Sequence, residues 1–380
     1  MSQRRAIFEE VGDAAPRPDT PRGGMIDARP RGARRAVRTW LWVLFALVVV
    51  MIAVGGLTRL TDSGLSITEW APVTGAIPPL DAEHWQGEFA AYQATPEYQL
   101  QNRQMTLDEF KVIYWWEWGH RQLGRVIGLV WAIGFVGFLV ARKIPPGWTG
   151  RLLLLGALGG AQGAIGWWMV ASGLTGDRVD VASYRLATHL GLAFVILGVI
   201  AWFALQLSRS EAALMQARRG REAGLMRLAG IMAGLTFLQI ILGALVAGID
   251  AGRNYTDWPL MAGGFLPPDP LQIEPLWRNF FENDGLVQFM HRMSGYALLA
   301  FGIFAFMRAR RSSYRKTRAA WHGILAMLVV QMVLGIVTVM YSAPWHLAIL
   351  HQLGAVVLWV LVLRGRHQSG YPLSQSVRDA

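Results

Sequence analysis

Eight apolar stretches of about 20 residues each dominate this chain: 40–58, 119–141, 152–171, 186–207, 228–249, 286–308, 322–341 and 346–363. That length is what a helix needs to cross a bilayer. Inside hydrocarbon each backbone N–H and C=O must be satisfied internally, and a helix does this within one segment. The pattern predicts an all-α polytopic membrane protein with eight transmembrane helices. Composition agrees, because 53% of the 380 residues are hydrophobic and only 16% charged, more apolar surface than a water-soluble domain of this size can bury.

The first 39 residues are rich in Arg, Pro and Gly and lack the short apolar core and cleavage site of a signal peptide, so they read as a disordered basic tail. The chain has no cysteine, which excludes disulfides, thiolate metal sites and covalent CxxCH haem attachment. Any metal must be held by His, Met or carboxylate. The net charge of +11 does not mark a nucleic-acid binder, because it follows the loops. If the N-terminus is cytoplasmic, the inner segments carry 26 of the 36 Lys and Arg and only 8 of the 25 acidic residues. This is the positive-inside bias, and it predicts N-in, C-in.

The chain is also a duplication. LTDSGLSITEW after the first apolar stretch answers GIDAGRNYTDW after the fifth, with Asp62, Gly64, Thr68, Glu69 and Trp70 opposite Asp250, Gly252, Thr256, Asp257 and Trp258. HRQLGR at 120 answers HRMSGY at 291, QGAIG at 162 answers QMVLG at 331, and HLG at 189 answers HQLG at 351. Four ordered matches predict two tandem, pseudo-symmetric four-helix bundles related by an axis along the membrane normal. The boundaries are a tail over 1–39, a first bundle over 40–207, a cytoplasmic linker over 208–227, a second bundle over 228–363 and a C-terminal tail over 364–380.

Four of the eight histidines, His120, His189, His291 and His351, stand at the outer ends of the even-numbered spans. A single histidine at a membrane boundary is usually interfacial, but these recur in matched pairs, one pair per bundle. Ionisable or metal-binding side chains at membrane depth are costly and normally mark function. Two facing imidazoles in a four-helix core suit a six-coordinate b-type haem. A zinc site fits poorly, since the pairs lie in separate bundles without a carboxylate pair. Gly124 and Gly128 share a helical face with His120, and Gly295 with His291, which leaves room for a flat ring. Arg121, Arg125 and Arg292, near the aqueous boundary, are candidates for pairing with haem propionates or for snorkelling to headgroups. His84, His322, His346 and His367 fall outside the pattern and read as structural or surface residues.

Glu117 precedes His120 by three residues and so shares its face, whereas the matching position in the second half is Gln288. The halves share candidate ligands but not the acid. This predicts chemistry at one site and electron transfer at the other, with Glu117 as the proton-transfer group. The competing reading of Glu117 is an ion pair with Arg121.

The paired histidines, the EWGHR segment at 117–121, the GLTRLT and TEWAP stretches after the first span and HRMSGY resemble haem A synthases, of the branch without loop cysteines. The resemblance runs from the first span to the eighth. It implies an oxidoreductase that converts the C8 methyl group of haem O to a formyl group through a hydroxymethyl intermediate. His120 and His189 would ligate the substrate haem, His291 and His351 would hold a permanent haem b as cofactor, Glu117 would be catalytic, and haem A would be the product. It further implies a multi-pass protein of the bacterial inner membrane with haem sites towards the periplasm. Haem O synthase would act upstream and cytochrome oxidase assembly downstream, membrane lipid would surround the chain, and a homo-oligomer is compatible with it. A diheme cytochrome b that only transfers electrons and a haem carrier or assembly scaffold are the alternatives from other functional classes.

Overall fold

The computed structural model describes residues 31–176 and 178–373, and they form twelve α-helices: α1 (Arg31–Leu60), α2 (Ala82–Gln93), α3 (Pro96–Leu100), α4 (Leu107–Val140), α5 (Thr149–Val170), α6 (Ser183–Gln206), α7 (Glu211–Arg219), α8 (Ala223–Gly248), α9 (Asn279–Glu282), α10 (Asp284–Ala309), α11 (Arg315–Met340) and α12 (Trp345–Gly370). Eight of these, α1, α4, α5, α6, α8, α10, α11 and α12, are long and apolar enough to cross a membrane. No strand occurs among the described residues.

Helix packing reproduces the duplication. α1, α4, α5 and α6 pack as one closed ring, and α8, α10, α11 and α12 as a second. Between the rings α6 meets α8, α12 meets α1, and α6 meets α12 across the pseudo-twofold axis. Close approach on that axis is set by small residues: a Cβ on Gly198 would lie 2.7 Å from Trp359 Nε1, whose N–H donates to the Phe194 carbonyl at 2.9 Å. α1 and α8 stop alike, at Asp62 (φ 49°) and Asp250 (φ 51°), both in the left-handed region that a polar side chain such as Asp tolerates at a helix end. Arg59 bonds both carboxylates, Asp62 at 3.0 Å and Asp250 at 2.7 Å, and so ties the two bundles at that end.

Several helices outrun the apolar stretches that announced them. α1 starts at Arg31 rather than 40, so residues 31–39 of the expected tail are helical, while residues 1–30 lie outside the described residues. The extra turns are held by Arg34, which donates to the Arg209 carbonyl at 2.8 Å just beyond the end of α6. The 208–227 linker contains α7, capped by Ser210, and the first residues of α8. α12 continues to Gly370, and of the 364–380 tail residues 374–380 lie outside the described residues. α4 begins at Leu107 instead of 119, with a Thr106–Glu109 capping box satisfying its first amides. Its added turns are covered by α2 and α3 through a cluster of Ile67, Phe89, Tyr92, Phe110 and Tyr114. The long loop before α4 is thus a small aromatic cap on one end of the first bundle.

Candidate functional site

His189, His291 and His351 are each the seventh or eighth residue of their helix, whereas His120 is the fourteenth because α4 is extended at its start, and each of the four rests on a glycine of the span before it. Ideal Cβ atoms would lie 3.0 Å from His120 Nε2 at Gly55, 2.9 Å from His189 Cε1 at Gly166, 3.0 Å from His291 Cε1 at Gly243 and 3.2 Å from His351 Cε1 at Gly335. Any larger residue would push the ring away, so the glycines fix where the imidazoles lie. In the second bundle His291 and His351 face one another with ring centroids 6.4 Å apart and planes at 83°. Two metal–nitrogen bonds of about 2 Å and about 1 Å from each nitrogen to its ring centre span about 6 Å. That spacing would let the two imidazoles hold one iron between them. His351 Nδ1 is buried without a hydrogen-bond partner. His120 and His189 make no such ring contact, although they lie within electrostatic range of one another.

Three glutamines complete the pattern. Gln162 Nε2 donates to the His189 carbonyl at 3.0 Å, Gln239 Nε2 to the His291 carbonyl at 3.1 Å and Gln331 Nε2 to the His351 carbonyl at 3.0 Å. Each stands one turn before the glycine under the same histidine. The signal was present in QGAIG, QIILG and QMVLG, but a Gln-x-x-x-Gly spacing acquires meaning only when the neighbouring helix is known.

Glu117 is buried, with 2% of its surface exposed. Its Oε2 accepts from Ser66 Oγ at 2.7 Å and the Ile67 amide at 2.9 Å, and its Oε1 from Arg121 Nε at 3.1 Å and Nη2 at 2.6 Å. The ion pair with Arg121 is therefore present. Gln288 occupies the matching slot: its Nε2 donates to the carbonyls of Ala251 at 2.6 Å and Asn254 at 2.7 Å. Both residues fasten the loop after the first spanning helix of their bundle to the second spanning helix. What distinguishes the halves at this position is charge rather than the presence of a tether.

The three arginines are occupied by loop carbonyls. Arg121 donates to Ile67 at 2.8 Å and Glu69 at 3.0 Å, Arg125 to Pro72 at 2.9 Å and Ala71 at 3.0 Å, and Arg292 to Tyr255 at 2.7 Å, Leu260 at 2.9 Å and Asp257 at 3.1 Å. Of the remaining histidines, His84 pairs with Asp81 at the start of α2 and His322 contacts the Arg318 carbonyl at 2.8 Å. His346 packs edge-on against Trp345, and His367 is buried between Trp202 and Tyr371.

Beneath the aromatic cap lies an acid the sequence did not single out. Glu97, at the N-terminus of α3, is 4% exposed, and its Oε2 has no hydrogen-bond partner. Burial first, with the charges of Asp180, Glu117 and Asp62 adding to it, pushes its carboxyl up to about 8 against the opposing hydrogen bond from Tyr92.

Duplicated four-helix rings, each with two glycine-seated histidines, define a class of multi-span membrane proteins that carry one histidine pair per bundle. The chain belongs to the cytochrome oxidase assembly protein family, whose profile matches residues 38–363. It is 66% identical, over the full length of both chains, to the heme A synthase of Dinoroseobacter shibae, and 65% identical, again over both full lengths, to that of Ruegeria pomeroyi. Against the heme A synthase of Paracoccus denitrificans it is 61% identical over 99% of this chain and 98% of the relative.

Proposed function

We propose that this protein makes haem A, oxidising the C8 methyl group of haem O to a formyl group in the first bundle, with a permanent haem b in the second. The observation that carries the reading is the fourfold histidine-on-glycine seat, in a chain so similar along its whole length to relatives bearing the name heme A synthase. His120 and His189 would hold the substrate, and His291 and His351 the cofactor. Haem iron supplies the redox chemistry when bound, and the protein supplies orientation and proton handling.

Converting a methyl group to a formyl group with the oxygen of one water releases four protons and four electrons, two electrons at each stage, which pass by way of the second bundle to an external electron acceptor. Glu117 is the group that takes protons from the reacting carbon and water and passes them outward. Ser66 Oγ, the Ile67 amide and Arg121 hold its carboxylate in one orientation, so that little reorganisation accompanies each transfer. Gln288 keeps the tether in the second bundle and cannot accept a proton in this way, which suits a site that only passes electrons. The charge distribution supports an orientation with both termini in the cytoplasm and the histidines towards the periplasmic side of the inner membrane. Haem O synthase would supply the substrate, and cytochrome oxidase assembly would take the product.

The test is to express the chain in cells that make haem O but no haem A, and to identify extracted haems by mass. Haem A in those extracts supports the reading. Unchanged haem O beside haem b contradicts it and favours a diheme cytochrome.

A further inference from the structure

The glutamine pattern is broken once. In the first helix of the first bundle Gly55 lies under His120 as its three counterparts do under theirs, but one turn earlier stands Met51, where Gln239 stands in the second bundle. A thioether has no N–H to donate. Among the described residues no side chain donates to the His120 carbonyl, whereas His189, His291 and His351 each receive a glutamine. The change extends to the partner helix. Gln239 Oε1 accepts from Ser294 Oγ, and the residue matching Ser294 is Leu123. Where Gln239 Nε2 would lie 3.3 Å from a Cβ on Gly295, Met51 Cε would lie 3.5 Å from a Cβ on Gly124. A polar bracket has been replaced by two apolar side chains in the same place. α1 is gripped instead from the other bundle, by Gln352 Nε2 on the Ile52 carbonyl at 2.7 Å.

We propose that Met51 is a positioning residue that makes the His120 side of the first site the exchangeable side: without the glutamine brace, α4 separates from α1 at the ligand level to admit or release a haem. His189 keeps its Gln162 brace and serves as the fixed ligand. The inference rests on the proposed function, in which one bundle turns over a substrate while the other retains a cofactor. A site that must release its product is served by a ligand whose carbonyl carries no side-chain brace. Methionine suits that task because its flexible, unbranched chain refills the gap in either position. A glutamine there would add a hydrogen bond that must break on each exchange.

The experiment measures haem transfer from the purified full-length protein to an excess of apomyoglobin, followed by Soret absorbance, with the transferred haem identified by mass. The wild type is expected to release haem in a fast and a slow phase. Met51→Gln with Leu123→Ser should slow the fast phase by about two- to tenfold, the range one net hydrogen bond supplies. Gln239→Met with Ser294→Leu should accelerate the slow phase by a similar factor. Single Met51→Gln and Gln239→Met variants provide the same readout if a double variant folds poorly. Two wild-type phases that neither exchange alters would overturn the role of Met51 and leave the two-site reading intact. A single wild-type phase, or a protein that carries no haem, would overturn both.

Discussion

Replacing Glu117 by Gln is the most informative single change, because the geometry fixes what an amide would meet. Both carboxylate oxygens accept, Oε2 from Ser66 and Ile67 and Oε1 twice from Arg121. An amide offers one acceptor and one donor, so in either orientation an N–H2 group faces a donor. Facing Ser66 is the cheaper choice, since that hydroxyl can turn to the Ile113 carbonyl, already 3.4 Å away. The Ile67 amide then loses its partner and Arg121 loses its counter-charge. Loss of a buried charge-assisted pair and one unsatisfied amide should cost about 2–4 kcal/mol. Unfolding in detergent, followed by circular dichroism, reads that cost, and haem A formed per folded protein reads the chemistry. Arg121→Ala is the control: it should also destabilise, yet keep product per folded protein within about tenfold of wild type. Glu117→Gln should lower it by about 10² to 10⁴. Unchanged stability in Glu117→Gln would refute the hydrogen-bond reasoning. Equal product per folded protein in the two variants would remove Glu117 from proton transfer.

Alanine at Gly243 or Gly335 should displace the imidazole above it and lower retained haem, measured as Soret absorbance per protein, while Gly119→Ala, with nothing within 4 Å of its Cβ, should be silent. A reporter fused after Arg311 should read cytoplasmic and one near Asp269 periplasmic; the reverse pair would overturn the orientation. Glu97 carries a pH signature. Its folded value of about 8 lies above the ordinary 4.5, so between those values the unfolded cap has released the proton that the folded cap retains. Stability of the cap should therefore fall as pH rises through that window and level off above it, and Glu97→Gln should flatten the dependence. Hydrogen exchange over residues 82–114 measures this, and an unchanged slope in the variant would assign the effect to another group.

The eight spans and the duplication were legible because they rest on residue types the membrane constrains most: long apolar runs, and polar residues such as Asp62 and Asp250 that recur at the same helix ends. The approach of His291 and His351 could be read from their matched positions, but the glycines beneath the four histidines and the glutamines beside three of them could not. Their partners lie on neighbouring helices, 16 to 65 residues away in the chain. Arg121, Arg125 and Arg292 read as candidates for pairing with propionates or for snorkelling; their bonds to loop carbonyls, 32 to 54 residues away in the chain, were not legible because loop backbone is invisible to side-chain patterns. The aromatic cap escaped notice since α2 and α3 are short helices of mixed polarity whose burial depends on the outward extension of α4. Glu97 was hidden with it.

The division of labour between the bundles is tested most directly by extracting and weighing the haems of the wild type and of four single variants, each with one of the paired histidines changed to alanine. The account predicts haem b together with haem O or haem A in the wild type. His291→Ala and His351→Ala should lose haem b, while His120→Ala and His189→Ala should retain it and lose haem O and haem A. Equal loss of the same haem from all four variants would contradict it.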